Sequence, residues 1–133
     1  MNLLELIHIG PHSRKRVENA VLVAKKSKRN NAILAMMLVG SAARGEATAQ
    51  SDTDVLVVVK SGGQVDKVRN RLSAIVKKQK TIRYNPNSNS KDKSGYFDSL
   101  VISEDDFNNP NGHDLKNHIE STKKDSVILF KKK

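Results

Sequence analysis

The feature that most limits the possible folds is the uninterrupted apolar run Val-Leu-Val-Val-Val at residues 55–59. Valine is β-branched and favours an extended backbone, so the run predicts a strand. Because apolar side chains occupy every position, both faces of that strand must be buried, as is typical of the central strand of a sheet. Gly62 and Gly63 interrupt the pattern. We therefore predict a central strand over residues 54–60.

Helical and extended patterns alternate around this strand. The clearest helix covers residues 64–79, where Val68, Leu72 and Val76 fall on one face. The other predicted elements are a helix over residues 13–29 with Ser13 as its N-cap, strands over Ile33–Val39 and Tyr96–Ser103, a short helix or turn over residues 42–49, a polar loop over residues 85–90, a helix over residues 114–123 and a short edge strand over residues 127–130. This order predicts an α/β (α+β) fold, a small mixed β-sheet flanked by helices, in one domain spanning residues 1–133.

The composition removes several classes of site and location. The chain has no cysteine, which excludes disulfides, cysteine-ligated zinc and a thiol nucleophile. A membrane-spanning helix needs about 20 consecutive apolar residues, and no such run is present. No basic segment precedes an apolar stretch at the N-terminus, so we expect no signal peptide and a cytoplasmic protein.

The net charge of +10 favours anionic partners such as nucleotides, nucleic acids or acidic proteins. A lysine-rich proteome would explain the same charge. Aromatic residues make up only 4% of the chain, whereas proteins that bind single-stranded nucleic acid stack bases on several aromatic rings. The composition therefore does not favour a dedicated RNA-binding module.

A glycine–serine pair, Gly40 and Ser41, stands where the strand Ile33–Val39 gives way to a short helix or turn. Glycine allows the backbone to approach a ligand closely, and a helix N-terminus offers free N–H groups to a triphosphate. Arg44 is close enough in sequence to contact a phosphate. Taken alone, a Gly-Ser pair is more often an ordinary turn.

Two aspartates, Asp52 and Asp54, stand two residues apart where the central strand begins. Alternation along a strand places both carboxylates on one face. Mg²⁺ binds one or two carboxylates together with substrate phosphate oxygens, and two such ions can assist a phosphoryl displacement. The alternative interpretation is a solvated strand end.

A third carboxylate is expected on a neighbouring strand, and Asp98 in Tyr96–Ser103 is the best candidate. An aspartate within an apolar strand is costly unless it is paired or bound to metal. The rival candidates are Glu104, Asp105 and Asp106, which have the pattern of an exposed acidic turn. We interpret the four histidines, His8, His12, His113 and His118, as structural or surface residues.

The combined pattern, Gly40-Ser41-x-x-Arg44-Gly45-Glu46-Ala47 followed by Ser51-Asp52-x-Asp54, resembles the signature of the DNA polymerase β-type nucleotidyltransferase superfamily, and most closely that of its minimal nucleotidyltransferases. The resemblance implies a small fold around a mixed sheet. It also implies roles for seven residues: Asp52, Asp54 and Asp98 as metal-binding catalytic carboxylates, with Asp98 as the base, and Gly40, Ser41, Arg44 and Ser51 as nucleotide-binding residues.

The resemblance further implies a function. Many such proteins are similar to the antitoxin half of a toxin–antitoxin pair, whose partner is a helical HEPN-type RNase and whose activity is transfer of AMP from ATP. We therefore expect a Mg²⁺-dependent nucleotidyltransferase that modifies a hydroxyl of a partner protein. The acceptor could instead be held by a second copy of the chain. The alternatives are a non-catalytic module that neutralises a toxin by contact, and an enzyme that modifies RNA ends.

Overall fold

The computed structural model describes residues 11–48, 51–79, 82–84 and 96–132. The helices are α1 (Pro11–Ser27), α2 (Gly40–Ala43), α3 (Val65–Lys77), α4 (Glu104–Asn108) and α5 (His113–Lys124), and the strands are β1 (Ile33–Val39), β2 (Thr53–Val59), β3 (Arg83–Tyr84), β4 (Tyr96–Ser103) and β5 (Val127–Lys131). The predicted α/β fold, with a mixed sheet flanked by helices, is confirmed. The predicted loop over residues 85–90 lies outside the described residues.

The strands form one sheet in the order β3-β4-β2-β1-β5. Strand β1 is antiparallel to both β2 and β5, whereas β2, β4 and β3 run parallel. The apolar run occupies the middle strand, β2, as the sequence predicts. In the sheet register Asp54 of β2 lies beside Val39 at the end of β1 and beside Asp98 near the start of β4. The Gly-Ser pair and two of the predicted carboxylates are therefore brought to the same end of the sheet.

The two faces of the sheet are covered differently. On one face Val55, Val57 and Val59 pack with α1 and α3 in a large buried cluster. On the other face Leu56 and Val58 belong to a smaller cluster with α5, against which α4 also packs. This split follows from strand alternation, which sends successive side chains to opposite faces. Asp54 lies on the second face because it shares the alternation of Leu56 and Val58.

The helix α1 fixes the loop that leads into β2. Because α1 already includes Pro11, the predicted N-cap at Ser13 is wrong. The buried Ser13 hydroxyl instead accepts the backbone N–H of Ala47 at 2.9 Å. Three residues further on, the buried Arg16 side chain donates through Nε to the backbone carbonyl of Ser51 at 3.0 Å. These contacts hold the segment that carries the second half of the motif against the first helix.

Two elements are additions to the sequence prediction. Strand β3 is two residues long, too short to give a periodic signal. Helix α4 replaces the expected acidic turn: the Ser103 hydroxyl accepts the Asp106 N–H at 3.1 Å as an N-cap. Acidic residues in the first turn suit the positive end of a helix. Within the ranges described above, no helix has both the length and the apolar character needed to span a bilayer.

Candidate active site

A cleft of about 380 Å³ opens at the end of the sheet where β1 ends and where β2 and β4 begin. Its sheet side includes Gly40, Arg44, Asp54 and Asp98, and its opposite side is formed by residues of α5. The cleft thus contains residues from both halves of the motif and the predicted third carboxylate.

Asp54 is the most strongly perturbed ionisable group at this site. It is paired in register with Asp98 on the parallel neighbouring strand, and alternation points both side chains to the α5 face. Burial, and then the negative charges of Asp98 and Asp52, raise the pKa of Asp54 from 3.8 to about 6. The negative charge of ionised Asp54 is therefore poorly balanced by the described residues. A bound cation would lower the energetic cost of ionising this side chain.

Gly40 meets Asp54 directly. Its backbone adopts a positive φ of 72°, which glycine tolerates and other residues rarely adopt. A Cβ atom at this position would lie 2.9 Å from Asp54 Oδ2, closer than side-chain atoms pack. Position 40 therefore requires glycine for two reasons: the backbone has a positive φ, and the Asp54 carboxylate leaves no space for a side chain.

Asp52 has a different environment from its two partners. Its Oδ1 accepts the backbone N–H of Tyr96 at 3.1 Å, which ties the start of β4 to the start of β2. It is not among the residues that line the cleft, although its charge contributes to the raised pKa of Asp54. Among the described residues no three acidic or histidine side chains converge into a ready-made metal site. Asp54 and Asp98 nevertheless offer the oxygen donors that a hard divalent cation prefers.

The predicted nucleotide-binding residues occupy several environments. Arg44 lines the cleft, and its Nε lies 3.2 Å from Oε2 of Glu46 in an exposed ion pair. Ser41 lies in α2 beside Gly40 but does not line the cleft. The Ser51 hydroxyl accepts the N–H of Thr48 at 2.8 Å and closes the loop before β2. A role for Ser41 or Ser51 in binding nucleotide stays a prediction.

The rival candidates for the third carboxylate lie elsewhere. Glu104, Asp105 and Asp106 belong to α4, which follows the far end of β4. Asp98 lies near the beginning of the same strand, in register with Asp54. Of the four candidates, only Asp98 lines the cleft.

Sequence reasoning missed the contribution of α5. His118, Ser121, Thr122 and Asp125, at the C-terminal end of this helix, form the opposite side of the cleft. His118 was interpreted as a structural or surface residue. Their spacing of three, four and seven residues marks one helical face, so the sequence did contain a signal. That signal is polar, however, and does not by itself indicate which surface the helix faces.

Comparison with known proteins bears on the type of domain and on its fold. Residues 22–86 match the family model described as a nucleotidyltransferase domain, a range that contains the whole motif. The fold is similar to a crystal structure named "putative nucleotidyltransferase" from Sulfolobus solfataricus, with a TM-score of 0.52, 20% sequence identity, and coverage of 94% of this chain and 92% of that chain. No curated protein matches the sequence significantly. The domain match over the motif and the fold shared over nearly the whole chain both support a minimal nucleotidyltransferase, and so a transferase enzyme.

Proposed function

We propose that the protein transfers AMP from ATP, with Mg²⁺, to a hydroxyl group of a partner protein. The observation that carries the proposal is the pairing of Asp54 with Asp98 at the mouth of a cleft that also contains Gly40. Two adjacent carboxylates, one with its pKa raised to about 6, form a site that is incomplete without a cation.

Nucleotidyltransferase domains generally use a divalent metal, and the residues of this site fit one. Asp54 and Asp98 would hold it, and Asp52 would join them by releasing the Tyr96 N–H. Mg²⁺ bound there would supply positive charge that offsets the negative charge of the triphosphate. The half-buried position of Asp54 strengthens this interaction, because a partly desolvated charge is less screened by water.

The remaining groups bind and orient the reactants. The backbone at Gly40 and Ser41 would receive the triphosphate, and Arg44 would exchange its exposed contact with Glu46 for a phosphate oxygen. The acceptor oxygen attacks the α-phosphorus, the bond to the bridging oxygen of pyrophosphate breaks, and pyrophosphate leaves. Asp98, which is exposed at the cleft, would take the proton of the acceptor hydroxyl as the general base.

A protein acceptor fits the toxin–antitoxin role that the motif suggests. The partner would be a cytoplasmic helical protein of the HEPN type, and the chain would act as the antitoxin. A non-catalytic module that neutralises such a partner by contact is the second candidate. The observation that favours this second candidate is the engagement of Asp52 with the Tyr96 N–H, which leaves Asp54 and Asp98 as the carboxylates on the sheet side of the cleft.

The test is transfer of label from ATP labelled at the α-phosphate, with Mg²⁺, into a lysate of the host that contains the candidate partner. The wild type is compared with the double variant Asp52→Ala/Asp54→Ala and with Asp66→Ala, which removes an exposed carboxylate of α3 far from the cleft. We expect label on a macromolecule with the wild type and with Asp66→Ala, and none with the double variant.

Digestion of the labelled product distinguishes the acceptors. Label that protease removes supports a protein acceptor, whereas label that RNase removes shows RNA modification instead. Absence of label with a folded wild-type protein and its partner present would contradict transfer and favour the non-catalytic module.

A further inference from the structure

A second depression lies on the same face of the sheet as the candidate active site, at the opposite end. We call it the lysine groove: it has a volume of about 670 Å³ and lies between β1, β5, α4 and the C-terminal end of α5. Strand β2 contributes to both sites, with Asp54 at one end and Val58 at the other. Four residues separate these positions, or about 13 Å along a strand. The two sites are therefore neighbours, and α5 contributes residues to both.

The groove has an apolar floor. Ala35, Met37 and Val58 of the sheet contribute to it, with Phe107 of α4 at the side. Ile128 of β5 is 57% exposed and is one of two large apolar side chains left open to solvent among the described residues. An exposed apolar side chain next to an apolar groove is a feature of interaction surfaces.

The rim of the groove is strongly basic. Lys60, Lys123, Lys131 and Lys132 line it, against one carboxylate, that of Glu104. None of these lysines forms an ion pair with any residue in the described part of the chain. The ammonium of Lys132 donates to the backbone carbonyl of Asn30, and that of Lys123 lies 5.5 Å from the centre of the Phe107 ring. Burial, and then the nearby charge of Lys60, lower the pKa of Lys132, as expected where positive charges lack an acidic partner.

The strand beside the groove can accept another strand. Strand β5 is at the edge of the sheet, and its one neighbour among the described strands is β1. An edge strand has backbone N–H and C=O groups available for a peptide that binds in extended form, and the side-chain pockets nearby then select its sequence.

We infer that the lysine groove is a docking site for an acidic, extended segment of a partner protein in which carboxylate and apolar side chains alternate. The apolar side chains would contact Ile128 and Phe107, and the carboxylates would pair with the lysines of the rim. The segment would bind antiparallel or parallel to β5 without entering the cleft that contains Asp54. This inference goes beyond the proposed function, since a partner can dock here whether or not the cleft transfers AMP.

The probe is a fluorescent peptide that alternates glutamate with leucine, and its binding is followed by fluorescence anisotropy with the full chain. Two variants address the two halves of the proposal: Lys123→Glu/Lys131→Glu reverses charge on the rim, and Ile128→Ser removes the exposed apolar contact. All three positions are exposed, so the variants should fold. We expect the charge reversal to weaken binding by about tenfold or more and the Ile128 change by about fivefold.

Matched controls separate the groove from general attraction to a basic protein. Lys25→Glu/Lys26→Glu makes the same change of net charge at exposed positions of α1, on the other face of the sheet, and should change binding by less than about twofold. Peptides that alternate glutamate with serine, or serine with leucine, should bind more weakly than the probe. The variant Asp54→Asn should bind the probe like the wild type, so that a failed transferase assay and a failed docking site are distinguishable.

Three results would overturn the inference. The first is no saturable binding of the probe by the full chain, and the second is an equal loss with the α1 control. The third is evidence for a different occupant. If sedimentation shows dimers that Ile128→Ser abolishes, the groove binds a second copy of the chain. If vesicles of anionic lipid compete with the probe and their binding depends on the same lysines, the groove binds a membrane surface.

Discussion

The two faces of the sheet differ in how completely they are covered, and both candidate binding sites lie on the less covered face. The face covered by α1 and α3 is closed by a large apolar cluster to which β1, β2, β4 and β5 all contribute. The face covered by α4 and α5 has a smaller cluster at its centre, with the carboxylate cleft at one end and the lysine groove at the other. A closely packed face has no room for a ligand. Incomplete cover by two helices leaves space on the other face, and the polar groups there remain accessible.

The two ends of that open face also carry opposite charge. Carboxylates line the cleft, whereas lysines line the groove. The separation is consistent with two ligands of different chemistry, a metal-bound nucleotide at one end and an acidic protein segment at the other. A residue on the open face is tested in each prediction below, and in three of the four it is set against a matched residue elsewhere.

The largest expected effect is loss of transfer in Asp98→Asn. An asparagine retains the shape but cannot accept the proton of the acceptor hydroxyl, so we expect the single-turnover rate to fall by about two to four orders of magnitude. Asp105→Asn on α4 is the matched control, because it removes an exposed carboxylate that lies beyond the far end of β4. Equal activity of Asp98→Asn and the wild type, or an equal loss in the control, would show that Asp98 is not the base.

The second prediction compares the packing of the two faces. Leu72→Ala on α3 and Ile119→Ala on α5 each truncate a side chain that is 1% exposed. We expect Leu72→Ala to lower the free energy of unfolding by about 3–5 kcal/mol and Ile119→Ala by about 2 kcal/mol. The smaller loss is expected for Ile119 because α5 borders both the cleft and the lysine groove and can move to fill the space left by the truncation. Urea denaturation measures both values. A larger loss for Ile119→Ala would mean that the open face is packed as rigidly as the closed one.

The third prediction concerns pH and Asp54. Because the pKa of Asp54 is raised from 3.8 to about 6, the folded protein holds this proton more tightly than the unfolded chain does between these values. Stability from this group is therefore present below pH 3.8 and is lost as pH rises through about 6. The contribution is on the order of 2 kcal/mol after allowance for partial exposure.

The variant Asp54→Asn isolates that contribution. Without divalent cations it should be more stable than the wild type at neutral pH, and the difference should shrink as the pH falls below the raised pKa. Urea denaturation at pH values on both sides of the raised pKa, with and without Mg²⁺, measures this difference in stability. Added Mg²⁺ should stabilise the wild type at neutral pH and have little effect on Asp54→Asn. If the difference in unfolding free energy between Asp54→Asn and the wild type were the same at all pH values, titration of Asp54 would not be its cause.

The sequence predicted the parts of the molecule that local patterns determine. The strands Ile33–Val39 and Tyr96–Ser103 were predicted with the bounds that the structure gives, because each is a short, largely apolar run in the sequence. The candidate active site could be located from the sequence because its motif is contiguous from Gly40 to Asp54. Asp98 was chosen as the third carboxylate because an aspartate within an apolar strand is costly, but the structure leaves Asp98 exposed at the cleft, and the register that places it beside Asp54 is a property of the sheet.

The parts that escaped prediction depend on which surfaces meet. The polar face of α5 becomes part of the cleft only because the helix packs over β1 and β2 through Ile119. Likewise Lys60 is far in sequence from Lys123 and Lys131, and the fold brings it to them at the end of the sheet. Ser13 and Arg16 share the spacing of the buried face of α1, and only the fold shows that they hold the loop before β2.

The smallest expected effect on stability is the most direct test of the division between the two faces. Arg44 and Arg69 each form an exposed ion pair, with Glu46 and Asp66 respectively. Such pairs contribute about 0–1 kcal/mol, so Arg44→Ala and Arg69→Ala should unfold at nearly the same urea concentration as the wild type. Arg44 lines the cleft and Arg69 lies on α3, over the closed face. We therefore expect only Arg44→Ala to raise the KM for ATP, by about tenfold, as expected for loss of a charged phosphate contact. If both arginines raise KM equally, the effect comes from the overall positive charge of the protein, and Arg44 has no specific role in binding the nucleotide.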